Sequence, residues 1–150
     1  MDQAPMFPPA EWFVGARLNF AENILHHGQD DDVAVIACTE RAQDTCRTTY
    51  AELRKQVTQA ARALRKLGIV PGDTVASYSG NTLENLVAFL ACSAVGAVWT
   101  SVAPDFGTSG VLERLTTVRP RVLFSTNKVR CTGKHNAPLG QLYATSDDWL

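Results

Sequence analysis

The groups able to act on a ligand are few, and they do not converge in the sequence. Lys128, Arg130, Lys134 and His135 form one basic cluster on a stretch that can bend at Gly133. Phosphate suits it, because Arg and Lys pair with phosphate through charge-assisted hydrogen bonds, and a solvated basic loop is the competing reading. Gly107-Thr-Ser-Gly110 stands at the start of an expected helix, where free N–H groups favour an anion. Neither G-x-x-x-x-G-K-[ST] nor G-x-G-x-x-G occurs anywhere in the chain, so turn and cap chemistry is the preferred account of that motif. Asp105 could serve as a base, but no second acid, histidine or nucleophile lies beside it to divide the proton-transfer roles, and an Asx turn explains it. His26 and His27 are adjacent, point in different directions from a helix, and read as a helix end. The four cysteines contain no C-x-x-C pair and read as buried or incidental thiols, Cys92 as a small hydrophobe in an apolar helix. Trp12, Phe13 and Phe20 have the area to stack on a base, but packing of their segment onto the domain is the stronger reading.

The elements that hold these groups follow from hydrophobic spacing. Residues 1–31 form an irregular lead-in with a short helix around Leu18 to Leu25. Val33 to Cys38 reads as a strand, paired as a hairpin with a segment ending at Thr49, which brings Cys38 and Cys46 near each other. Thr49-x-x-Glu52 has capping-box spacing, and Leu53, Val57, Ala60, Leu64 and Leu67 recur at helical intervals up to Gly68. Pro71-Gly72-Asp73 turns the chain into a strand at Thr74 to Ser79, and Asn81-x-x-Glu84 caps a second helix that is apolar nearly all round. Ala97 to Val102, Ser109 to Val118 and Val122 to Ser125 read as strand, helix and strand. This alternation predicts an α/β fold in residues 32–127, a parallel or mixed sheet flanked by helices. Ligands in such sheets sit outside the carboxyl ends of the strands, which singles out the Pro/Asp/Gly loop after Val102. Residues 128–150 read as an irregular tail that supplies no further strand to close the sheet.

Composition narrows the function classes. With 45% hydrophobic and 19% charged residues the 150-residue chain is expected to be globular, and a net charge of -1 gives no field that would favour nucleic acid or an anionic membrane. The longest apolar run, Leu86 to Trp99, is shorter than the roughly 20 residues that span a bilayer, and the N-terminus lacks the basic start and apolar core of a signal peptide. A cytoplasmic protein with a small-molecule or protein partner is expected.

Trp12-Phe-Val-Gly-Ala-Arg-Leu-Asn-Phe-Ala-Glu-Asn23, Thr49-Tyr-Ala-Glu-Leu53, Leu67-Gly-Ile-Val-Pro-Gly-Asp73 and Ala103-Pro-Asp-Phe-Gly107 occur in an order and spacing that resemble the acetoacetyl-CoA synthetases. These form a branch of the AMP-binding, acyl-adenylate-forming synthetases, and the resemblance covers about residues 6 to 134. It implies an N-terminal fragment of an acetoacetate–CoA ligase of ketone-body and lipid metabolism, which uses ATP, coenzyme A and Mg2+. It assigns no catalytic residue to this chain. By the family pattern Arg130 and Lys134 match basic positions that contact the coenzyme A nucleotide. Pro104 and Asp105 match a loop lining the pantetheine tunnel, where relatives carry glycines. A T-S-G-[ST]-T-G-x-P-K-like phosphate loop is not in the sequence, so the chain alone is expected to be inactive and to hold no cofactor tightly. The sequence stops resembling the family after about Gly140. The alternatives are a non-catalytic module that binds coenzyme A or a full-length partner, and a splicing or gene-model remnant. Open sheet edges and uncovered apolar faces predict self-association.

Overall fold

The computed structural model describes residues 13–38, 45–127, 129–131 and 134–136, the last two stretches as backbone only. The lead-in helix α1 (Phe20–His26) is capped by Asn19, whose side chain accepts from the Glu22 N–H and donates at 2.9 Å to the Ser93 carbonyl. One short side chain therefore both starts α1 and ties it to an element 74 positions away. Strands β1 (Val33–Cys38) and β2 (Thr45–Thr49) form the expected antiparallel hairpin. Cys38 lies opposite Thr45 and Cys46 opposite Ala37, one register step apart, and both thiols are free.

Helix α2 (Tyr50–Lys66) opens with both halves of the capping box, Thr49 accepting from the Glu52 N–H and Glu52 accepting from the Thr49 N–H. It ends in a Schellman turn. The Gly68 N–H bonds the Arg65 carbonyl, the Ile69 N–H bonds the Leu64 carbonyl, and Gly68 takes the left-handed backbone (φ +80) that this closure requires. The turn corrects one expectation: Leu67, in helical register by spacing, is 64% exposed as the C-cap, and Ile69 beyond the glycine is buried in its place.

The central sheet has the order β4-β3-β5, all parallel, with β3 (Thr74–Tyr78) in the middle, β4 (Val98–Val102) on one side and β5 (Val122–Ser125) on the other. Successive strand residues face opposite sides. Val75 joins a core with α2 and helix α3 (Leu83–Ala94); Ala76 and Tyr78 join a second core with Val111 and Leu115 of helix α4 (Thr108–Val118). Helices α3 and α4 thus cover opposite faces, and the connections leaving the adjacent strands β3 and β4 diverge. In open α/β sheets such a divergence is where ligands sit, outside the carboxyl ends of the strands.

Three further expectations need correction. The N-cap of α3 is Thr82, which accepts from the Asn85 N–H, rather than Asn81. A hydroxyl in extended backbone one residue later performs the same function, and Glu84 then lies inside the first turn. In the lead-in, Phe20 meets Phe89 at 5.5 Å and begins a ring series through Trp99 to Phe124, but Phe13 is 80% exposed and Leu18 85% exposed. Packing of the lead-in onto the domain therefore rests on Phe20, Ala21 and Leu25; Trp12 lies outside the described residues. Within the expected irregular tail, strands β6 (Val129–Cys131) and β7 (Lys134–Asn136) pair antiparallel. Only two residues, one of them glycine, separate them, a hairpin signal that their lack of apolar alternation obscured.

Candidate functional site

The carboxyl edge of the sheet gathers polar groups around Tyr78, the last residue of β3. Tyr78 is wholly buried on the α4 side, and its hydroxyl donates at 3.1 Å to the Phe106 carbonyl in the loop between β4 and α4. Burial first, and the charge of Asp105 second, push its phenol above the usual tyrosine range, so it remains a donor at neutral pH. On the α3 side, the buried Ser77 hydroxyl donates at 2.6 Å to Asn85 Oδ1 and lies 2.8 Å from Ser79 Oγ. Ser125 at the end of β5 donates at 3.0 Å to the Tyr78 carbonyl, and beside it the buried Thr126 hydroxyl has no hydrogen-bond partner among the described residues.

The loop itself is a tight turn. The Phe106 N–H bonds the Ala103 carbonyl at 3.1 Å, which turns Pro104 inward to a buried position and leaves Asp105 exposed. The Arg114 guanidinium stacks over the Phe106 ring at 4.6 Å. Gly107 caps α4 in extended backbone with no side-chain hydrogen bond, while its carbonyl accepts from the Val111 N–H. The Gly107-Thr-Ser-Gly110 motif therefore starts a helix, as turn and cap chemistry predicted.

Of the four candidate residues, Pro104 and Asp105 lie at this edge. Arg130 and Lys134 lie on β6 and β7, with Arg130 opposite His135 and Lys134 opposite Cys131, and their side chains lie outside the described residues. Tyr78, Asn85 and Arg114 were not singled out from the sequence, and for Tyr78 the available signal was a polar-tipped ring closing the strand ahead of a helix. Away from the edge, His27 caps α1 and sits 3.3 Å from Asn23 Oδ1, and burial pushes the Cys92 thiol up to about 11. Among the described residues no three His, Cys, Asp or Glu side chains are placed to hold a metal ion, and no helix is long and apolar enough to cross a membrane.

The profile of the AMP-binding enzyme family matches residues 21–148, reaching past Gly140. The chain is 42% identical over 132 residues to an acetoacetyl-CoA synthetase of Rattus norvegicus, covering 88% of this chain and 20% of that protein. It is 41% identical over 138 residues to a malonamoyl-CoA synthetase of Penicillium aethiopicum, covering 89% and 19%. Among solved structures, the acetoacetyl-CoA synthetase from Streptomyces lividans superposes with a TM-score of 0.85 at 42% identity, over 92% of this chain and 22% of that one. The chain thus spans about a fifth of the length of the relatives it matches.

Proposed function

The chain belongs to the AMP-binding enzyme family, and from that premise we propose that it forms the coenzyme A-facing N-terminal part of the α/β domain of a cytoplasmic acid–thiol ligase that acts on acetoacetate. The observation that carries this reading is the loop over residues 103–107, held at a diverging carboxyl edge in a chain that superposes on an acetoacetyl-CoA synthetase. In the whole enzyme ATP activates the acid and the thiol of coenzyme A accepts it. Buried Pro104 and exposed Asp105 would form a wall beside the thiol-bearing arm. Arg130 and Lys134 would neutralise the nucleotide phosphates at the far end, as guanidinium and ammonium groups do. Mg2+ belongs with the ATP, and the described residues offer it no ligand set, so no step through it is assigned to this chain.

The phosphate-loop motif is not among the 150 residues, so the chain by itself is proposed to contribute scaffold and coenzyme A contacts rather than adenylation. Choice of acid is proposed to lie outside it as well, since synthetases named for acetoacetate and for malonamate are 42% and 41% identical to it over 132 and 138 residues.

Calorimetric titration with coenzyme A tests the assignment. Weak, saturable binding near the millimolar level, worth about 4 kcal/mol, should fall when Arg130→Ala and Lys134→Ala are combined. Absence of any heat removes the coenzyme A contacts. Sub-micromolar binding would instead mark a stand-alone binding module.

A further inference from the structure

We infer that the Tyr78 hydroxyl is a positioning group that sets the conformation of the loop over residues 103–107. The ring is fixed first: Tyr78 sits on the central strand, hydrogen-bonded to neighbours on both sides through β3, and packs in one buried cluster with Ala76, Val102, Val111 and Leu115. Val102 immediately precedes the loop, and Val111 lies in the first turn of the helix that follows it. Both ends of the loop are therefore anchored in the buried cluster that holds the ring, and the hydroxyl reaches to the Phe106 carbonyl, 28 positions away.

What the bond fixes is the direction of three side chains. With the Phe106 carbonyl turned inward, its N–H closes the turn onto Ala103, its ring lies under Arg114, and Asp105 projects to solvent while Pro104 is buried. Released from the hydroxyl, the carbonyl would be free to rotate toward water and carry the turn with it. The donor is dependable, because burial and the neighbouring Asp105 charge both disfavour the phenolate. The consequence for coenzyme A rests on the reading above; the consequence for loop geometry does not.

Hydrogen exchange on the full 150-residue chain separates the two. Tyr78→Phe keeps the ring and removes only the donor, so the Phe106 amide should exchange about fivefold to tenfold faster while amides of β3 and α2 keep their protection. Phe106→Leu leaves the accepting carbonyl in place and should change exchange at position 106 much less. Unaltered exchange of Phe106 in Tyr78→Phe, a uniform loss of protection across the chain, or a larger effect from Phe106→Leu would each overturn the inference. In the wild-type chain, millimolar coenzyme A should slow the Phe106 amide. If Tyr78→Phe speeds that amide but coenzyme A leaves it unchanged, the positioning role stands and the coenzyme A wall fails.

Discussion

Asp73 shows how one side chain can close a turn and join two elements. Its carboxylate accepts from the Val70 N–H at 2.8 Å and pairs at 2.7 Å with Arg121, which also donates to the Gly68 carbonyl. The backbone N–H foremost, with Arg121 adding to it and partial desolvation opposing, holds its carboxyl below the usual value of 3.8. A carboxyl with a lower pKa folded than unfolded contributes stability above the unfolded value and loses it as pH falls through the folded one. Stability should therefore decline on the acid side of pH 4, and Arg121→Met should flatten that decline only in part, because Val70 still donates; denaturant titrations at pH 3 and pH 6 read this directly. Cys92 makes the opposite case. With its thiol near 11, it should resist alkylation at pH 7.5 in the folded chain while exposed Cys38 and Cys46 react, which peptide mapping after iodoacetamide would show. Little of this was legible beforehand. The types and spacing of Asp105, Pro104 and the basic cluster were visible, but Tyr78 meets Phe106 only because a parallel strand and a crossover bring them together, and no local spacing records that meeting.

Elements were legible where a local signal agreed with the tertiary environment. Thr49 and Glu52 announced α2 because both halves of the box join residues only three positions apart, and Thr49→Ala should cost about 1 kcal/mol in a thermal or urea melt. The cap of α3 slipped by a residue because Asn81 and Thr82 are both competent, and the backbone geometry decides between them. The seat of α1 was readable only as apolar packing of the lead-in onto the domain. Its polar attachment includes Arg54, whose guanidinium donates to the carbonyls of Leu25 and Gly28 and to Asp30 while lying 5.3 Å from the centre of the Tyr50 ring. Gly28 is required there by close approach rather than by backbone conformation, since an added Cβ would fall 2.0 Å from that ring. Gly28→Ala should therefore destabilise by about 1–3 kcal/mol, as overpacking does, and expose α1 to early proteolysis; a melt unchanged within error would show that the ring moves aside freely.

Across the whole chain, the described residues make two unequal layers. On the α3 side of the sheet, α1, α2 and the hairpin share one core with α3, whereas on the α4 side one helix covers the sheet and leaves Val98 52% exposed and Leu123 38% exposed on the flanking strands. Edge strands with exposed apolar groups invite pairing between copies. Sedimentation velocity should show concentration-dependent association of the 150-residue chain, reduced by Val98→Lys; a monomer at every concentration would contradict it. The most direct measurement is acetoacetate-dependent exchange of labelled pyrophosphate into ATP by the purified 150-residue chain. The account predicts no exchange above the protein-free blank, and exchange that rises with acetoacetate and with protein concentration would contradict it.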